Sequence, residues 1–171
     1  MIIYIIFMAK SIDNLHYLKN KWSLWTHLSN ETDWSLNSYK NITNFHTVES
    51  ILTLYENLPE NIIKYCMLFI MKEGITPLWE DIHNRNGGCF SYKINNKFVA
   101  QIWKDLSYSL MGETLTEKEL FNNNINGITI SPKKNFCIIK IWISNCDNIE
   151  PNIIKNIDGL FPNECFFKKH I

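Results

Sequence analysis

Gly74-Ile75-Thr76-Pro77-Leu78-Trp79-Glu80-Asp81, with Asn86-Gly87-Gly88 a few residues on, sets a tryptophan directly before a carboxylate. Pro77 stiffens the approach, and the glycine pair permits a tight turn before the next segment. An exposed indole beside a fixed acceptor suits a flat, cationic, hydrogen-bond-donating ring. The indole face attracts delocalised positive charge, and a carboxylate accepts from two adjacent N–H groups on a ring edge. Guanine methylated at N7 meets that description, being cationic and presenting N1–H and N2–H2 side by side. A Trp-Glu dipeptide alone says little, so the weight falls on what surrounds it.

On either side of this stretch, Tyr65–Ile70 and Gly88–Ile94 read as strands. Upstream, Trp22-Ser23-Leu24-Trp25-Thr26-His27 alternates large and small residues, which predicts a strand with both tryptophans on a like face. Thr47–Leu58 has helical spacing, a threonine able to cap it, an early acid in Glu49 and a stop at Pro59. Downstream, Asn96–Met111 reads as a helix ending at Gly112 in the left-handed conformation. Gly127–Ser131 and Phe136–Ser144 read as a hairpin around Pro132-Lys133-Lys134-Asn135. Asn152–Ile157 is expected as a third helix and Cys165–Ile171 as a last short strand. Strands interleaved with a few helices and joined mostly by hairpins predict an α+β antiparallel sheet with helices on one face.

Composition narrows the function. A chain of 171 residues is one domain of ordinary size, long enough for a real core. Lysine plus arginine balances aspartate plus glutamate, 17 against 17, so no global field recruits nucleic acid and any such contact is small and local. Six tryptophans is a high count, and aromatic rings are the usual stacking platforms for unpaired bases. Abundant asparagine and isoleucine beside a single arginine, Arg85, reads as the bias of an AT-rich genome, so the asparagine clusters carry no weight here. The five cysteines (Cys66, Cys89, Cys137, Cys146 and Cys165) show no zinc, redox or disulfide spacing, and reduced thiols are the simplest account. No metal and no cofactor are expected. Met1–Met8 is apolar but too short to span a bilayer and lacks a signal-peptide layout, so residues 1–13 read as an extra strand or packed tail of a single 1–171 domain.

These residues resemble, over roughly 14–148, the messenger-RNA cap-binding proteins of the translation initiation factor 4E type. The signs are His16-Tyr17-Leu18 before the Trp22/Trp25 strand, Trp34 in the following loop, and Phe45-His46-Thr47-Val48-Glu49 opening a helix. Gly74–Asp81 with Gly87-Gly88, Trp103 leading to Gly112-Glu113, and Ile141-Trp142 ending a strand complete the order and spacing. The last twenty or so residues match poorly and look shortened. The resemblance implies a curved antiparallel sheet with about three helices on its convex face and a cap pocket on the concave side.

Carried over position by position, the resemblance makes Trp34 and Trp79 the two stacking plates, each stacked face contributing about 1–3 kcal/mol. It makes Glu80 the acceptor for guanine N1–H and N2–H2, the Trp79 backbone N–H the donor to O6, and Trp142 the neighbour of the N7-methyl edge. Trp22, Trp25 and Trp103 belong to the framework. On the phosphate side the chain departs from the family, with Lys133 where an arginine is expected and Ile138 where a lysine is expected. Lys134 and Lys140 lie near enough to substitute, Cys89 stands at a basic family position, and Arg85 is placed to compensate. A lysine offers a point charge without bidentate geometry, so a looser or rearranged hold on the triphosphate is implied.

On the convex back the family docks a helical peptide from a scaffold of the initiation factor 4G type, or from a repressor. Its docking residues are a histidine, a proline, a valine, a tryptophan and two leucines. Here His16 and Val48 remain, beside Leu18 and Glu49. Tyr17 replaces the proline, Leu52 the tryptophan, and Lys104 and Tyr108 the leucines. The expected partners are capped messenger RNA and such a scaffold or a private equivalent, with no membrane, for a monomeric factor in the cytoplasm. The biased composition, short tail and rewritten back fit a fast-diverged copy of the kind a large DNA virus or a protist encodes. Three readings follow: an initiation factor without catalytic residues, a cap-binding repressor or decoy, and an enzyme using Cys89 or Cys137 with a histidine such as His83.

Overall fold

The computed structural model describes residues 15–28 and 31–170. The expected extra strand or tail at 1–13 lies outside the described residues. In chain order the elements are β1 (Tyr17–His27), β2 (Tyr39–Thr47), α1 (Val48–Asn57), α2 (Glu60–Tyr65), β3 (Met67–Lys72) and β4 (Gly88–Asn95). They continue with α3 (Val99–Met111), α4 (Glu119–Asn124), β5 (Ile125–Pro132), β6 (Phe136–Ile143) and β7 (Cys165–Lys169). The seven strands form one curved sheet in the order β2-β1-β3-β5-β6-β4-β7, with every pair antiparallel.

Strand alternation divides the molecule into a helix side and an open side. Leu24, Ile70, Phe90, Tyr92, Ile128, Ile139 and Ile141 point to the helix side and merge with the helices into the main core. From α3 come Val99, Ile102, Trp103, Leu106 and Leu110, a stripe at helical spacing whose apolar face lies flat on the sheet. From α1 come Ile51 and Leu54, while Val48 and Leu52 face outward. Thr47 caps α1 in a reciprocal box: its Oγ1 accepts from the Ser50 N–H at 3.2 Å, and its own N–H donates to Ser50 Oγ at 3.2 Å. The open side carries a smaller cluster of Tyr39, Phe69, Met71, Ile75 and Trp142, with Trp25 and Leu78 against it.

Several local expectations are corrected. Trp22 and Trp25 do not share a face: they are three apart, so alternation sends Trp22 into the main core and Trp25 to the open-side cluster. Pro59 does not simply end α1. It is the N-terminal cap of the short α2, which consumes Tyr65 and delays β3 to Met67. There are four α-helices among the described residues rather than about three, and 152–157 forms no α-helix, only a 3-10 turn over Pro151–Ile153. After α3, Gly112 keeps right-handed angles (φ −77°) and it is Glu113 that turns left-handed (φ 53°). Glu113 accepts from Lys19 Nζ at 2.8 Å and from the Asn20 side chain, contacts that fix it against β1. Gly87 and Gly88 supply close approach rather than a positive-φ turn. A Cβ on Gly87 would collide with the Ile143 carbonyl, and one on Gly88 with the Lys168 carbonyl.

Candidate functional site

The concave face holds a cavity of about 480 Å³ into which both loops of that side dip. The 31–38 loop brings Trp34 and the 73–87 loop brings Pro77, Leu78, Trp79 and Glu80. The sheet supplies the floor and one wall through Phe69, Cys89, Lys140 and Trp142, and the end of the chain supplies Lys168, Lys169 and His170. Trp34 and Trp79 are 57% and 50% exposed, which is unusual for indoles and leaves ring faces free.

Trp34 is nevertheless held. Its ring stacks on His27, with centroids 4.2 Å apart and planes within 3°. His27 is buried at the end of β1, where its Nε2–H donates to the Asp33 carbonyl at 2.8 Å. Tyr39 packs edge-on against His27 and Phe69 behind it, and burial pushes its hydroxyl up to about 12. Asp33 closes the next turn by accepting from the Ser35 N–H and hydroxyl, which hold its carboxyl below the ordinary value.

The Trp79-Glu80 loop is knitted from inside by polar side chains. Asp81 accepts from the Thr76 N–H at 2.8 Å and from its hydroxyl at 2.6 Å, and also from the His83 N–H. Those donors keep the Asp81 carboxyl below its ordinary value, although burial pulls the other way. Asn84, fully buried, donates to the Thr76 and Leu78 carbonyls at 3.0 and 2.8 Å, spanning the loop under Trp79. Asn126 on β5 in turn donates to Asn84 Oδ1 and to the His83 carbonyl. His170 closes the circuit. Its Nδ1–H donates to the Asn84 carbonyl at 2.8 Å and its ring lies 4.7 Å from Trp142, while burial lowers its pKa. Trp142 is only 7% exposed, and its indole N–H is spent on Thr129 Oγ1 at 2.7 Å, so it offers the cavity an edge rather than a donor.

The structure therefore brings Trp34, Trp79, Glu80, Trp142 and Lys140 around one space. It does not bring Lys133, Lys134 or Arg85 there. The two lysines sit on the β5–β6 turn, beyond the strand end from Lys140, and Arg85 is exposed outside the cavity lining. Two further cations line the cavity, Lys168 and Lys169, and neither is among the residues singled out from the sequence. The signal was the pair Phe166-Phe167 before them, since Phe167 packs on the core and alternation then sends Lys168 to the concave side.

On the convex side His16, Val48, Glu49 and Leu52 gather at the start of α1. The His16 N–H and Nδ1 both bond Glu49, the latter at 2.7 Å, which holds the Glu49 carboxyl below its ordinary value, and the Val48 N–H donates to the His16 carbonyl. Tyr17 is exposed, Leu18 packs on the core, and Tyr108 meets Tyr55 edge-on with Lys104 Nζ 5.7 Å from its ring centre. No catalytic pairing of the suggested cysteines and histidine forms. Cys137 donates to Asn96 Oδ1, Cys89 contacts Ser91 Oγ, and His83 is engaged with Asp81. Burial raises the Cys137 thiol, which disfavours the thiolate a nucleophile needs. Among the described residues no group of histidine, cysteine and carboxylate side chains is arranged to hold a metal, and no helix is long and apolar enough to cross a membrane.

Residues 17–164 match the family model described as Eukaryotic initiation factor 4E. The chain is 30% identical over 141 residues to the eukaryotic translation initiation factor 4E-1B of Danio rerio, covering 79% of this chain and 64% of that protein. It is 28% identical over 142 residues to the human eukaryotic translation initiation factor 4E, again 79% of this chain and 64% of that protein. The chain thus spans just under two thirds of these relatives' lengths. Among solved structures, the C. elegans eIF4E-3 complex with the 4E-binding protein Mextli and cap analog superposes with a TM-score of 0.69. That match is at 24% identity and covers 77% of this chain and 76% of that one, which speaks to the fold.

Proposed function

Because the chain belongs to the eukaryotic initiation factor 4E family, we propose that it binds the 7-methylguanosine 5′ cap of messenger RNA in its concave cavity and acts in translation initiation. The observation that carries this reading is the pair of half-exposed indoles, Trp34 and Trp79, that line one cavity from separate loops with Glu80 beside one of them. A cationic base fits between two electron-rich faces, and Glu80 accepts from its N1–H and N2–H2 edge. Trp142 borders the N7-methyl edge. The role is binding, without bond-making chemistry, in the cytoplasm. Titration of the protein with 7-methyl-GTP tests the reading: intrinsic tryptophan fluorescence quenches as the ring stacks, GTP binds far more weakly, and Glu80→Gln selectively weakens the methylated ligand. An unchanged spectrum at millimolar 7-methyl-GTP refutes it.

The triphosphate falls to Lys140 and Lys168, with Lys169 reaching in from the sheet edge. We expect Lys140→Ala and Lys168→Ala each to cut 7-methyl-GTP affinity severalfold and flatten its salt dependence by about one phosphate contact. Lys133→Ala, Lys134→Ala and Arg85→Ala leave the affinity for this small ligand as it was. Isothermal titration at two ionic strengths separates the two sets.

The convex face is the partner surface in this reading, formed by His16, Tyr17, Val48, Glu49, Leu52 and Tyr108. Leu52 and the Lys104–Tyr108 contact remove the flat apolar plane that a tyrosine-and-leucine helical peptide needs. That favours a private scaffold partner, and it is also the observation behind a second reading, a repressor that holds caps without recruiting the usual scaffold. We expect weak binding of a standard scaffold peptide, partly restored by Leu52→Trp with Lys104→Leu, as read by fluorescence anisotropy.

A further inference from the structure

The concave face does not end at the cavity. Along β6, β4 and β7 the register sets three side-by-side rows: Trp142–Cys89–Lys168, then Lys140–Ser91–Phe166, then Ile138–Lys93. The first row and Lys140 belong to the cavity. The next positions lead away from it towards the β5–β6 turn, where Lys133 and Lys134 are exposed. Phe166 stands on this path 69% exposed, although its neighbour Phe167 is packed against the core. Further along, Lys93 lies over the ring of Phe136, 4.5 Å from its centre. None of the row positions is acidic.

Exposed aromatic faces interleaved with lysines on an open sheet are what a single-stranded nucleic acid recognises. Each base has a π-face to stack, and the backbone phosphates follow the cations without any demand on sequence. Of the aromatic side chains along these rows, Trp142 belongs to the cavity and Phe136 lies under Lys93, which leaves the Phe166 ring free to stack. Resting on the cap-binding reading above, we propose that the nucleotides following the cap run along these strands towards the β5–β6 turn. The first transcribed base stacks on Phe166, the triphosphate bridge is held by Lys140 and Lys168, and later phosphates meet Lys93, Lys133 and Lys134. This accounts for the lysine pair on the turn, which the small ligand does not reach. It also accounts for a neutral chain handling RNA, since the charge needed is confined to one path.

The test compares 7-methyl-GTP with a capped, unstructured pentanucleotide on the full chain. The pentanucleotide is expected to bind about tenfold tighter than 7-methyl-GTP, and its log–log salt slope is steeper by about 0.7 for each added phosphate contact. Phe166→Ala removes most of that tenfold gain, and Phe166→Trp retains it. Both leave 7-methyl-GTP affinity unchanged, which reports a folded protein. Lys133→Ala with Lys134→Ala lowers the slope for the pentanucleotide alone. If 7-methyl-GTP binds and the pentanucleotide gains nothing, or gains equally without Phe166, the path is refuted and the cap pocket stands. If 7-methyl-GTP fails to bind while the pentanucleotide binds through Phe166, the pocket reading falls and the path stands. If neither binds, both are refuted.

Discussion

Trp79→Ala weakens cap binding about a hundredfold while the protein stays folded. The ring is half exposed and lies outside both hydrophobic clusters, so removing it leaves no cavity in the fold. What disappears is one of two stacking faces and its cation–π attraction, together about 3 kcal/mol, or about a hundredfold in dissociation constant. The remaining plate, Trp34, then faces the base across water rather than across a second ring. Calorimetric titration with 7-methyl-GTP, alongside a denaturation curve superposable on the unmodified chain, is the measurement. Retained affinity in a folded Trp79→Ala protein would remove this loop from the binding site altogether.

Asn84→Ala is expected to damage both stability and affinity without touching the ligand. The substitution leaves the Thr76 and Leu78 carbonyls without their buried donor and strips Asn126 of an acceptor. Unsatisfied buried groups of this kind cost about 1–3 kcal/mol each, and partial entry of water brings the expected total to about 3 kcal/mol in urea denaturation. The loop under Trp79 then samples other shapes, and 7-methyl-GTP affinity drops about tenfold because the bound geometry has to be ordered at binding. Asn86→Ala, at an exposed position in the same loop, changes stability by no more than about 0.5 kcal/mol. Equal behaviour of the two variants would mean that the asparagine network does not hold the loop.

That contrast marks where the sequence was readable and where it was not. β1, β4 and the β5–β6 hairpin announce themselves through alternation of aromatic and β-branched residues with turn residues between them, and α1 through the threonine at its start. These are local signals. Asn84 and Asn126 lie 42 positions apart and look like any other asparagine in an asparagine-rich chain, so discounting the composition discarded the two that brace the cap loop. Alternation around Phe167 orients Lys168, but the cavity itself meets Lys168 and Lys169 only because β7 pairs with β4, an alignment spanning about eighty residues. Lys133 and Lys134 are near Lys140 in sequence yet outside the cavity, because the strand carries them away at about 3.3 Å per residue. The resemblance to a known family singled out Trp34, Trp79, Glu80 and Trp142, and these line one cavity. Of the four cations singled out with them, Lys133, Lys134, Lys140 and Arg85, Lys140 alone lines that cavity, beside Lys168 and Lys169.

The stacking of Trp34 on His27 has a consequence for how tightly any ligand can be held. A half-exposed tryptophan on a polar loop would ordinarily wander among rotamers, and a ligand would lose about 0.5–1.5 kcal/mol of its attraction in arresting it. Here the ring is stacked on an imidazole that does not line the cavity and is itself pinned to the Asp33 carbonyl. The site is therefore preorganised from behind. The search for a productive pose is confined to the loop of Trp79, and a chain with fewer phosphate-clamping arginines can recover affinity in the rigidity of its first plate rather than in the strength of its charges.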